Sequence, residues 1–112
     1  MGKNQLGEFE EIVMLTVGVL YGDAYGVSIK KEIESRLERK VSVGALQSAL
    51  VRLENKNFLI SKEGGNTSAR GGRPKRYFTI TALGKQAIQQ TRDMRNQLYS
   101  AIPEIALDVR FS

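Results

Sequence analysis

Between Lys62 and Arg76 the sequence gathers five cationic side chains, Lys62, Arg70, Arg73, Lys75 and Arg76, against one acid, Glu63. They border or interrupt a glycine-rich stretch, GGNTSARGGRPKRY, Gly64 to Tyr77. Glycines let a backbone come close to a surface, and arginines present forked donors that match phosphate oxygens or enter a narrow minor groove. The chemistry on offer is recognition of a polyanion. A basic run by itself is as readily a solvated loop, so its neighbours must decide.

Bond-making chemistry has little to work with. The sequence contains no histidine and no cysteine, so the commonest general base, the thiolate nucleophile and the soft metal ligands are missing. No carboxylate pair stands out from solvated helix faces. The glycine loop lacks the GxxxxGK[ST] pattern and leads into a strand, whereas a nucleotide site needs a helix start. The sequence therefore predicts no catalytic residue, no metal and no cofactor.

The bulk properties suit a single folded domain. At 112 residues with 41% hydrophobic and 26% charged residues the chain can build one core, and its net charge of +5 favours polyanionic partners. Absence of cysteine removes any disulfide signal, which points to the cytoplasm. The longest apolar stretch, IVMLTVGVLY, is about half of the roughly 20 residues a membrane span requires. The opening MGKNQLGEFEE lacks the basic and apolar regions of a signal peptide.

The elements that would position the loop can be read from periodicity. From Glu8 to Leu20 apolar residues surround the helix almost completely, and Glu8, Glu10 and Glu11 complement the positive end of its dipole. YGDAYG, Tyr21 to Gly26, is a turn. A second helix runs from about Val27 to Arg39 with Ile29, Ile33 and Leu37 on one face. Ser42 is a suitable N-cap for a third helix, Val43 to Asn57, in which Val43, Leu46, Leu50 and Leu53 form the buried stripe.

The opposite face of that third helix carries Gly44, Ser48, Val51, Arg52 and Asn55, with Ala45 and Gln47 on the flanks. It is short, mostly polar, and free of acids until Glu54, as a face lying against an anion should be. The second and third helices with the turn between them have the outline of a helix-turn-helix. FLISKE, Phe58 to Glu63, and KRYFTIT, Lys75 to Thr81, are strand formers that the glycine loop can join as a hairpin. Thr81 then caps a last helix of roughly five turns, stopped before Pro103, with Leu83, Ala87, Thr91, Met94, Leu98 and Ile102 at helical spacing. So long a helix has no obvious partner in so small a core, and a second copy of the chain is the simplest one. The tail PEIALDVRFS shows no usable period. The fold class predicted is mostly α with a small β-hairpin, a winged helix-turn-helix plus a C-terminal helix.

LGEFEEIVMLTV, DAYGVSIKKEIE, VSVGALQSALVRLENKNFL and RGGRPKRYFTIT followed by ALG resemble, in this order, the PadR-type transcriptional regulators across nearly the whole chain. The resemblance implies a winged-helix domain over residues 6–81, a C-terminal dimerisation helix over 82–102 and a tail over 103–112. It further implies a homodimer that binds double-stranded DNA at a pseudopalindromic operator, usually as a repressor. Some relatives also take a small-molecule effector between the C-terminal helices. The DNA surface it implies comprises Ser42, Gln47, Ser48 and Arg52 around the third helix and Arg70, Gly71, Gly72, Arg73, Lys75 and Arg76 in the wing. The dimer contact falls to Phe9, Met94, Leu98 and Ile102.

Two departures stand out. Gln47 occupies a position where the family usually has an aromatic, and KNF, Lys56 to Phe58, replaces KGL. Gln47 can read an adenine edge through two hydrogen bonds, so the family's base preference does not transfer. Arg52 is open to either an intrachain ion pair or a phosphate contact. Tyr77 is hairpin core rather than a base-stacking platform, and Tyr25 packs under the helix-turn-helix. The alternative function is a winged-helix module for protein interaction or RNA binding.

Overall fold

The computed structural model of the protein describes residues 5–64 and 74–108. Its elements run α1 (Glu8–Val19), α2 (Gly26–Leu37), α3 (Val43–Asn55), β1 (Leu59–Glu63), β2 (Arg76–Ile80), α4 (Ala82–Ala101) and α5 (Glu104–Leu107). The strands form an antiparallel pair in which Leu59 faces Ile80, Ser61 faces Phe78 and Glu63 faces Arg76. Alternation along this ladder turns Leu59 and Phe78 inward and Ile60 and Thr79 outward, the period-two consequence of the pleat. The amide of Phe78 also donates to the carbonyl of Ala24 at 2.8 Å, which ties the second edge of β2 to the turn after α1.

The core gathers Val13, Met14 and Val17 of α1, Ile29 and Ile33 of α2, and Leu46, Leu50 and Leu53 of α3 over Phe58, Leu59 and Phe78 of the hairpin. Each large side chain buried this completely contributes roughly 1.5–3 kcal/mol relative to exposure. α5 lies in the tail, where no period was expected.

Helix ends follow local chemistry. α2 stops at Leu37, two residues before the sequence suggests, because Glu38 adopts a left-handed conformation with φ of 51°. Asn57, at φ of 65°, turns the chain out of α3 in the same way. Asparagine tolerates that region better than most residues. Thr81 caps α4 as expected, its hydroxyl accepting from the Gly84 amide at 2.9 Å and donating to the Asn57 carbonyl at 2.6 Å.

Several residues expected against the core lie outside it: Leu15 and Val19 of α1 at 47% and 56% exposed, Leu37 of α2 at 48%, and Val43 of α3. Val43 is 62% exposed, while Leu46, Leu50 and Leu53 are buried as predicted. Val41, two residues earlier, is buried instead, and its amide donates to the Glu34 carboxylate at 2.9 Å. The turn thus fills the end of the core before the third helix begins, and Val43 is left outside it.

α4 packs on the core only through its first half. Gly84, Ala87 and Thr91 are buried, and the described residues after Thr91 are exposed. At Gly84 the helix backbone lies so close to the hairpin that a Cβ would overlap the Phe58 carbonyl oxygen and come within 2.9 Å of Met14 Cε.

Candidate nucleic-acid interface

α3 presents its outward face on a well-fixed base. The Ser42 hydroxyl accepts from the Ala45 amide at 3.0 Å, satisfying one of the unpaired donors of the first turn. Ser42→Ala should therefore lower unfolding free energy by about 1 kcal/mol in denaturant titration. With Leu46, Ala49, Leu50 and Leu53 facing the core, the exposed residues are Val43, Gly44, Ala45, Gln47, Ser48, Val51, Arg52 and Asn55. The Gln47 amide nitrogen lies 3.6 Å from where a Cβ on Gly26 would be, so this side chain rests across the start of α2.

The root of the wing meets the same place. Lys75 Nζ sits 4.2 Å from the centroid of the Tyr25 ring, and that ring stands edge-on to Tyr77 at 5.4 Å with an interplanar angle of 63°. Tyr77 is accordingly engaged within the hairpin root, in keeping with a core role. Tyr25 lies beside the wing at the N-cap of α2 rather than under the helix-turn-helix. Arg76 donates to the Ser61 hydroxyl at 3.0 Å, and that hydroxyl donates to the Glu54 carboxylate, linking β2 to the end of α3. The Gly64 amide closes the described part of the hairpin on the Lys75 carbonyl at 2.6 Å. Arg70, Gly71, Gly72 and Arg73 lie outside the described residues.

Arg52 makes the ion pair that the sequence left open. Its Nε is 3.0 Å from Glu10 Oε2, and Lys56 Nζ is 3.1 Å from Glu10 Oε1. Glu10 also accepts from the Gly7 amide at 2.9 Å, the reach-back half of a capping box. Burial of Glu10 opposes ionisation, yet the bonds from Gly7, Arg52 and Lys56 prevail and hold its carboxyl below the ordinary 4.5. Arg52 keeps half of its side chain exposed, at 52%, while making this pair.

The neighbouring carboxylates also pair with cations. Glu8 binds Arg39 through two hydrogen bonds of 2.7 and 3.1 Å, and this pairing lowers its pKa. Glu11 pairs with Arg95 of α4 at 2.9 Å. Three glutamates in the first turn of α1 therefore reach the end of α2, the end of α3 and the middle of α4. The dipole role expected for these glutamates from the sequence does not include these partners. The available signal was Glu at the third helical position after Gly7, which indicates a reach-back bond without naming the cations.

The candidate dimer residues divide into two environments. Phe9 is half-buried against the core, with the Arg39 guanidinium 5.5 Å from its ring centroid. Met94, Leu98 and Ile102 lie on α4 at 48%, 66% and 37% exposure. Among the described residues no group of three His, Cys, Asp or Glu side chains could hold a metal ion, and no helix is long and apolar enough to cross a membrane.

Comparison with known proteins places this arrangement. The family model described as the transcriptional regulator PadR-like family matches residues 14–90. Among curated proteins none matches the chain. Among solved structures the chain is similar to RosR of H. salinarum in its complex structure hsRosR-SG, with a TM-score of 0.71 at 21% identity, over 93% of this chain and 85% of that one. It is similar to a PadR-like transcription factor from Bacteroides fragilis, with a TM-score of 0.69 at 24% identity, covering 82% and 84%. A PadR family transcription regulator from Clostridium difficile gives 0.61 at 27% identity, covering 80% and 91%. The matched span holds the helix-turn-helix, the wing and the packed half of α4, and the chain belongs to the PadR-like family of transcriptional regulators.

Proposed function

We propose that the protein is a cytoplasmic, homodimeric transcriptional repressor that binds a pseudopalindromic DNA operator and is released by a small ligand. One observation carries the DNA reading. The start of α2 joins the exposed face of α3 to the root of the wing, with Gln47 resting at Gly26 and Lys75 stacked on Tyr25. Bases and backbone can be met by one continuous surface.

In this reading Ser42, Gln47, Ser48 and Arg52 face the major groove, and Arg70, Gly71, Gly72, Arg73, Lys75 and Arg76 follow the backbone beside it. The half-exposed Arg52 side chain contacts phosphate while Glu10 keeps it in place. Residues 6–81 form the DNA-binding unit, residues 82–102 the dimerisation helix, and residues 103–112 a tail. Met94, Leu98 and Ile102 face a second copy, with Phe9 contributing from α1. The two copies of α3 then enter successive major grooves about 34 Å apart, and a ligand that changes the angle between copies spoils that spacing.

The test is a titration of the purified protein against the DNA upstream of its own coding region, with scrambled competitor, at two salt concentrations. Saturable binding at dimer stoichiometry that resists competitor and weakens with salt is expected. Replacing Arg73 and Arg76 together with Ala removes four phosphate contacts per dimer, so it should weaken binding to every sequence by at least tenfold and reduce the salt slope by about 4. Gln47→Ala should instead relax base preference, by about 1–3 kcal/mol at one position. A double wing variant with an unchanged salt slope would exclude the wing as a phosphate clamp and favour a protein-interaction module.

A further inference from the structure

The exposed face of α3 contains a feature that polarity and charge do not account for. Val43 is 62% exposed and Val51 is 53% exposed, and the exposed residues between them, Gly44, Ala45, Gln47 and Ser48, are small or uncharged, with Arg52 beginning the charged border beyond Val51. Scattered apolar residues on a surface are ordinary. These two are not scattered, since they stand one helical step of four residues before and after Gln47. Valine is also a poor choice for a solvated helix, where its branched side chain loses rotamer freedom that Ala, Lys or Glu would keep. No exposed residue of α3 before Arg52 carries a charge, whereas α2 turns Lys31 and Arg36 to solvent.

A helix face that is uncharged and exposes two branched apolar side chains matches a covering surface that is itself partly apolar. The cations at its borders, Arg52 and Lys75, make that surface anionic. The major groove combines both properties, because phosphates line its edges and thymine displays a C5-methyl group on its floor. Resting on the DNA-binding reading above, we propose that Val43 and Val51 determine specificity by packing against thymine methyl groups on either side of the base pair contacted by Gln47. Each half-site then carries thymines flanking that position, and the preference at those steps comes from apolar contact rather than hydrogen bonding.

The experiment uses the full chain and a duplex recovered by selection from a randomised library. That duplex is resynthesised with deoxyuridine replacing thymidine at one position at a time, which removes the methyl group and keeps the base pairing. Each methyl contacted should be worth about threefold in affinity, and four of them across two half-sites on the order of a hundredfold. In Val51→Ala the uracil penalty should vanish at one position of each half-site, and in Val43→Ala at another. Both variants place a better helix former at an exposed site, so the thermal midpoint should not fall and should rise slightly. Uracil tolerated at every position by the unaltered protein would overturn the proposal. So would a penalty that persists undiminished in both variants, or a selected site without thymine at these steps. Selection that enriches no sequence would remove the DNA reading itself, and this inference with it.

Discussion

Gly84→Ala should lower the thermal midpoint by roughly 10 °C. The new methyl would overlap the Phe58 carbonyl oxygen and crowd Met14 Cε at 2.9 Å. Met14 can bend away, since thioether side chains adapt, but the Phe58 carbonyl is backbone at the start of the hairpin and also accepts from the Thr81 amide at 3.1 Å. Relief therefore requires the first turn of α4 to move off the core. Overpacking of this kind costs about 3 kcal/mol, of which the better helix propensity of Ala returns about 1 kcal/mol. The remaining 2 kcal/mol corresponds to the stated shift for a chain of this size. Differential scanning calorimetry measures it, and an unchanged midpoint would mean that the close approach at Gly84 is not maintained in solution. The same variant tilts α4 against the DNA-binding unit, so any loss of operator affinity should exceed the loss of folded protein.

Glu10→Ala should destabilise the protein by about 2 kcal/mol, because the carboxylate it removes is buried and accepts from three donors. Arg52 and the Gly7 amide lose this acceptor at once, and Lys56 keeps only the Gln5 carbonyl at 3.4 Å. The two cations are partly exposed and can hydrate, which keeps the loss below that of a fully buried pair. Glu10→Gln retains an acceptor for Gly7 and should cost less. The pH dependence follows from the direction of the shift. Because the folded pKa lies below 4.5, the pairing stabilises the protein above that value and is lost as pH falls through the folded pKa. Glu34, lowered by the Val41 amide and by Lys30, and Glu8, lowered by Arg39, act in the same direction in both proteins. Stability measured by denaturant titration from pH 7 to pH 3 should therefore fall less steeply in Glu10→Gln than in the unaltered chain. Parallel curves would show that the Glu10 cluster does not contribute. Should DNA affinity fall more than stability does, Glu10 also positions Arg52.

The sequence by itself determined the order of the elements from α1 to α4, both serine and threonine caps, the stop before Pro103 and the family, but not α5. These are local properties, because capping, periodicity and chain termination depend on residues within a turn or two of one another. Tertiary structure decided the rest. Whether Val43 is core or surface depends on Val41 filling the end of the core first, and the helical spacing of Val43 with Leu46 and Leu50 holds in either case. The choice for Arg52 between ion pair and free cation depends on Glu10, 42 residues away in the chain. Likewise the three glutamates look equivalent along α1, and only the packing of α2, α3 and α4 around that helix gives each a different cation. An ion pair across the fold leaves no local pattern, since its energy depends on a distance that only the assembled core fixes.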